Sequence, residues 1–251
     1  MITRLRIDPR DTAVSARLAA ALRQVGIVTF ESPCDRTGVL MLAQEIMSIW
    51  PHRGSEPDGI TVLCDRGDLA TKPGLAGFGH DTLAMHTEAS AVERPPQLMM
   101  LFCAQAGTAG GQCTLVDGRQ LYRTLHERDP ELLAALSTPR SVLFGGATGY
   151  LGSVFEEGVG RTLIRLRIDD LARFSPNIEG RLNDLRDLLR ELELTVDLRP
   201  GSGYLLDNTR WLHGRAPFGG ARMMYRVLGG PVPAFDIPAG FLAVEHKPSG
   251  V

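Results

Sequence analysis

With 251 residues, 43% of them hydrophobic and 22% charged, the chain is long enough to bury a substantial core as a soluble globular protein. A formal net charge of -2 gives no electrostatic footprint for nucleic acid or for an anionic membrane surface, and neither partner is predicted. The amino terminus lacks an apolar signal run and no 18-residue apolar stretch occurs, so the expected location is the cytoplasm. Four cysteines, Cys34, Cys64, Cys103 and Cys113, show no Cys-x-x-Cys spacing and read as small buried hydrophobes in a reducing compartment.

Residues 12–25 carry apolar side chains at helical spacing and Gly26 supplies a stop, so a helix leads into a short strand at 27–30. The pattern repeats over 39–50, where Pro51 ends it, and a strand is expected at 60–64. From Arg66 to Glu93 periodicity is lost and Gly, Pro, Thr and Asp accumulate. A structureless stretch of that length inside a compact domain reads as a substrate-covering lid, about 66–85. A buried strand at 97–103 and a Gly-Gly turn into a strand ending at Asp117 follow, then short helices at 118–126 and 130–136. Strands are expected at 142–144 and 162–168, and the Gly-rich stretch 145–160 is expected to shape a pocket. The clearest amphipathic helix, about 177–193, reads as an insertion before closing strands at 194–198, 203–206 and 222–228. The tail from Pro231 is rich in Pro and Gly and is expected to wrap the surface. Many short strands interrupted by one long helix predict a mainly β fold with flanking helices, a double-stranded β-helix or jelly roll, filling residues 1–251 as one domain.

One stretch carries the chemistry. In extended backbone, side chains two apart share a face, so His86 and Glu88 of Leu83-Ala84-Met85-His86-Thr87-Glu88 point one way and Thr87 the other. Two imidazoles and one carboxylate form the facial set of non-haem Fe(II) oxygenases, and of several zinc hydrolases. The triplet alone is uninformative, because a chain of this composition holds about 0.7 such triplets by chance. A third ligand is therefore needed. His213, at a strand mouth after Asp207-Asn208, is the best available, across the barrel from His86. His80 competes, but it lies in the same flexible loop and would leave a metal without a rigid scaffold. His52, His126 and His246 fall at helix ends or in the tail and read as solvated.

Arg226 lies among apolar residues in Arg222-Met223-Met224-Tyr225-Arg226-Val227-Leu228, and a buried guanidinium requires a partner. A bound dicarboxylate held bidentately is one such partner; a sheet-edge arginine in water is the other reading, and it applies to Arg222 as well. Thr114 is either a hydroxyl donor to the same ligand or simply a good strand former.

Taken together, His86-Thr87-Glu88, Gly110-Gly111-Gln112-Cys113-Thr114 and Asn208-Thr209-Arg210-Trp211-Leu212-His213-Gly214-Arg215-Ala216-Pro217-Phe218 with Arg226 resemble the taurine dioxygenase/clavaminate synthase-like superfamily, over roughly residues 20 to 230. The resemblance implies a 2-oxoglutarate-dependent non-haem iron dioxygenase using Fe(II), 2-oxoglutarate and O2 on a small-molecule substrate. It implies His86, Glu88 and His213 as iron ligands, and Arg226, assisted by Thr114, as the partner of the distal 2-oxoglutarate carboxylate. Glu in the triplet is similar to the clavaminate synthase, asparagine oxygenase and arginine oxygenase branch. That implies hydroxylation of an amino-acid-derived or natural-product intermediate, as in antibiotic biosynthesis, with desaturation or ring closure from the same chemistry. A zinc hydrolase would account for the same three ligands but would not require a buried Arg226, and a non-catalytic jelly-roll binding module with a vestigial site would tolerate His86→Ala without losing its partner.

Overall fold

The apolar run of residues 97–103 becomes the centre of a sheet buried on both faces. Met99, Leu101 and Cys103 join one hydrophobic cluster while Leu98, Met100 and Phe102 join another. This is why the run is continuous rather than alternating. The computed structural model describes residues 1–8 and 10–243. In chain order its elements begin with β1 (Thr3–Arg6), α1 (Val14–Val25), β2 (Ile27–Glu31), α2 (Arg36–Ile46), β3 (Met47–Ile49), β4 (Thr61–Leu63), β5 (Leu83–His86) and β6 (Leu98–Gln105). They continue with β7 (Ala109–Gly110), β8 (Cys113–Asp117), α3 (Gly118–Arg128), α4 (Pro130–Ser137), β9 (Val142–Phe144), β10 (Tyr150–Gly152), β11 (Phe155–Glu157), β12 (Thr162–Ile164) and β13 (Ala172–Phe174). The last are α5 (Pro176–Glu179), α6 (Leu182–Glu191), β14 (Leu194–Val196), β15 (Ser202–Asp207), β16 (Trp211–Arg215), β17 (Phe218–Gly219) and β18 (Met223–Pro231).

The larger sheet runs β1-β2-β15-β6-β18-β3, with β4 also paired to β18; only the β1–β2 pair is parallel. The smaller sheet runs β14-β8-β16-β5, all antiparallel. Residues from the inner faces of both meet in one cluster, including Met99, Leu101, Tyr204 and Leu206 from the larger sheet and Leu115 and Trp211 from the smaller. Helices α1 and α2 cover the outside of the larger sheet, and α3, α4, α5 and α6 cover the outside of the smaller. The protein is thus mostly sheet with flanking helices. No helix of the described residues is long and apolar enough to cross a membrane.

Several elements differ from the sequence expectation for local reasons. Helix α2 opens at Asp35, whose carboxylate accepts from the Gly38 N–H at 3.0 Å, and it gives way at Met47 (φ -141°, ψ 146°) to β3, four residues before Pro51. The amphipathic segment after Ser175 splits at Gly180 and Arg181 into α5 and α6. The strand expected over 162–168 stops at Ile164, where Arg165 turns inward to bind the loop after Glu88. Strand β1, which the sequence did not announce, exists by borrowing an edge from β2. The tail from Pro231 bears on the functional site's scaffold, since Gly240 N–H donates to the buried Asp207 carboxylate at 2.9 Å; its His246 lies outside the described residues.

Candidate metal centre and cavity

His86 and His213 face each other directly, as register partners on β5 and β16 of the smaller sheet, with ring centroids 4.3 Å apart. They are therefore neighbours in one sheet, where the sequence suggested opposite sides of a barrel. Glu88 follows at the end of β5. Thr87 turns the other way, its N–H donating to the Leu166 carbonyl at 2.7 Å and its hydroxyl accepting from the Leu166 N–H at 3.2 Å. Ala89 then adopts φ 53°, a left-handed backbone that costs a β-carbon residue about 1 kcal/mol. Two supports hold that turn. Asn208 accepts from the Glu88 N–H at 2.7 Å and donates to the Glu88 and Pro96 carbonyls at 3.2 and 2.9 Å. Arg165, buried and packed over the Tyr150 ring, donates to the carbonyls of Ser90 at 2.8 Å and Glu93 at 3.0 Å.

The ligand atoms of His86, Glu88 and His213 lie within 4.8 Å of one another. His86 Nδ1 is 2.8 Å from the Ala84 carbonyl, which only accepts, so the proton sits on Nδ1 and Nε2 keeps its lone pair. Burial and the neighbouring His213 lower the His86 pKa to about 4, so the imidazole is neutral at physiological pH. His213 is buried and neither ring nitrogen has a hydrogen-bond partner among the described residues, although Nε2 lies 3.4 Å from Glu88 Oε1. Burial pushes the Glu88 carboxyl up, but the Arg226 guanidinium and the imidazoles outweigh it and hold it well below the ordinary carboxylate range. An unpartnered buried imidazole, a second with its tautomer fixed, and an ionised carboxylate fit a first-row divalent metal, and the ion would supply the bond that one nitrogen of His213 lacks.

The trio opens on a cavity of about 650 Å³. Arg226 lines it, but its guanidinium is ion-paired with Glu88 and its other terminal nitrogen sits 3.3 Å from His52 Nδ1. Arg222 lines the same cavity and has no carboxylate partner among the described residues; it reaches the Gly111 carbonyl at 3.4 Å and packs 5.3 Å over the Phe218 ring. Arg215 packs on Phe218 as well, at 4.8 Å, with its Nε unpartnered. Burial and then Arg222 lower the Arg215 pKa to about 10. Thr114 does not line the cavity. In β8 the inner face belongs to Cys113 and Leu115, so Thr114 projects outward behind Gly214, and Cys113 forms the cavity wall.

Other histidines fall as follows. His80 is exposed and paired with Asp65 at 2.9 Å, outside the trio. His126 is exposed on α3. His52, expected in solvent, instead lines the cavity half-buried, its pKa lowered by burial and by Arg226. The lid expected over 66–85 supplies Pro73, Gly74, Ala76, Gly77 and Phe78 to the cavity, and Gly145 joins from the second Gly-rich stretch. Arg165, Tyr204 and the Arg167–Asp169 pair were not singled out in the sequence. Only the isolated arginines among apolar neighbours offered a signal.

Two stacked sheets enclosing a two-histidine, one-carboxylate centre define a non-haem metal enzyme architecture, and comparison with solved structures agrees with the fold. Asparagine oxygenase bound to Fe(II), 3-hydroxyasparagine and succinate superposes with TM-score 0.70 at 17% identity, over 87% of this chain and 79% of that one. The non-heme iron oxygenase OrfP with Fe and alpha-ketoglutaric acid gives 0.67 at 14% identity, over 88% and 80%. Residues 5–228 match the family described as taurine catabolism dioxygenase TauD, TfdA, and the chain belongs to that family. Gamma-butyrobetaine dioxygenase of Homo sapiens is 23% identical over 91% of this chain, which spans 62% of that relative's length.

Proposed function

We propose that this protein is an Fe(II)- and 2-oxoglutarate-dependent dioxygenase that hydroxylates an unactivated C–H of a small, amino-acid-derived or natural-product intermediate, releasing succinate and CO2. One observation carries the reading: a single cavity joins a three-residue metal donor set to a buried pair of guanidiniums, Arg215 and Arg222, that lack a carboxylate among the described residues. His86, Glu88 and His213 would hold the metal. Bound iron supplies the activation of oxygen, coupled to oxidative decarboxylation of the keto acid.

The remaining chemistry belongs to this chain. Arg222, with Arg215 beside it, grips the distal carboxylate of the keto acid, because an uncompensated buried guanidinium is costly and a dicarboxylate relieves it. Arg226, which the family resemblance implied for that task, instead keeps Glu88 ionised and oriented. Trp50, Leu63, Phe78 and Val92 line the cavity with apolar surface and keep water from the reacting centre. The two sheets act as a double-stranded β-helix core in one domain, with residues 66–85 as lid. Amino-acid-derived substrates are supported by the 3-hydroxyasparagine and hydroxyarginine bound in the similar structures. Anaerobic titration with Fe(II) and then 2-oxoglutarate tests the reading: a visible charge-transfer band is expected, and folded protein that never develops it rules the reading out.

A further inference from the structure

The buried end of the cavity holds one polar group that the arginines leave unexplained, the Tyr204 hydroxyl. Tyr204 is only 1% exposed, yet it lines the cavity. It stands in a cross-strand row with Leu101 and Arg226, since Leu101 is in register with both. Its hydroxyl reaches the facing sheet and meets the Cys113 thiol, with Glu88, Arg222 and Arg226 within electrostatic range. A thiol is a weak acceptor, and a buried phenol ordinarily finds a stronger one. The hydroxyl on β8 that might have served there, Thr114, is turned to the outer face.

We propose that the Tyr204 hydroxyl donates a hydrogen bond to the distal carboxylate of the bound keto acid, completing with Arg222 a seat to which β8 contributes only the Cys113 thiol. This rests on the keto-acid reading above. Tyr204 is a positioning residue for the co-substrate. It favours a dicarboxylic keto acid over one ending in methyl, because only the former accepts its proton.

The test compares Fe(II)-loaded wild type and Tyr204→Phe, titrated anaerobically with 2-oxoglutarate and with 2-oxopentanoate, whose chain ends in methyl. Tyr204→Phe is expected to weaken 2-oxoglutarate roughly tenfold, the usual cost of a hydrogen bond to a charged group, and to leave 2-oxopentanoate and Fe(II) affinity unchanged. Adding Cys113→Ser to Tyr204→Phe places a hydroxyl beside the lost one and is expected to recover 2-oxoglutarate affinity several-fold. Equal weakening of both keto acids, or no change in 2-oxoglutarate affinity, overturns the assignment. If wild type binds Fe(II) but gives no band with 2-oxoglutarate, the underlying reading fails and this one with it; a normal wild-type band with an unaffected variant sinks Tyr204 alone. Should Tyr204→Phe not fold, replacing the tyrosines of the wild-type chain by 3-fluorotyrosine decides. The more acidic phenol is expected to tighten 2-oxoglutarate without change in 2-oxopentanoate, and absence of that selectivity refutes the assignment.

Discussion

At the buried end of the cavity Arg215 and Arg222 flank one phenylalanine at strand ends; neither forms an ion pair with a carboxylate among the described residues, although Arg215 donates to the Asp81 carbonyl. Toward the lid the opposite holds: Arg167 is clamped to Asp169, and Arg53 is exposed to solvent and donates to the Pro73 carbonyl. The buried end thus keeps its charge for a ligand of fixed chemistry, while toward the lid the charge is either paired or in contact with water, and that side offers mainly shape. A co-substrate common to a family belongs at the first, and a variable substrate at the second.

Substitutions can break this contrast. Glu88→Ala removes a ligand and strands the Arg226 guanidinium, so Fe(II) affinity measured by calorimetry is expected to fall well beyond the roughly 100-fold typical of mere supporting residues. The two arginines should then separate. Arg222→Ala is expected to cost about 3 kcal/mol or more, over 100-fold, in 2-oxoglutarate binding while iron affinity holds. Arg226→Ala should first lower iron affinity and thermal stability, by about 2–4 kcal/mol, since Glu88 loses its counter-charge. Loss of 2-oxoglutarate binding in Arg226→Ala with normal iron binding would reverse the two roles.

A smaller effect is expected from pH. Burial raises the Asp207 pKa to about 6 although Thr209 and Gly240 donate to its carboxylate. The folded state therefore holds a proton that the unfolded chain, near 3.8, gives up. Stability gains as pH falls from above 6 toward 4, by roughly 2–3 kcal/mol at most, and this gain is absent at neutral pH. Melting temperatures of wild type and Asp207→Asn should converge in wild type's favour over that window; parallel profiles would show the carboxyl is not perturbed. Smallest of all, Phe78→Ala at the mouth should change 2-oxoglutarate affinity less than about threefold, and a larger change would mean that lid and co-substrate seat are not separate.

The sequence made the His86–Glu88 geometry legible because a period of two depends on nothing beyond an extended backbone. It identified His213 but not its position opposite His86, since pairing of β5 with β16 is a tertiary fact. Thr114 and Cys113 show the limit most clearly. In a strand buried on both sides neither neighbour is marked as inward, and hydropathy does not record which faces a cavity. Arg222 and Arg226 posed the same difficulty: the sequence favoured Arg226 as the buried guanidinium and Arg222 as a sheet-edge residue in water, whereas both are buried and the ion pair with Glu88 tells them apart. Strands β1, β3, β10, β11 and β13 are of three or four residues, too short for periodicity to register.

Asn208 sits on the turn between β15 and β16, 120 residues from the Glu88 backbone it grips from both sides. One amide thereby ties the carboxylate-bearing loop to the segment that delivers His213, before any ion arrives. Loading then needs no refolding: a chelator should strip such a protein and leave a socket that accepts iron again within the time of mixing.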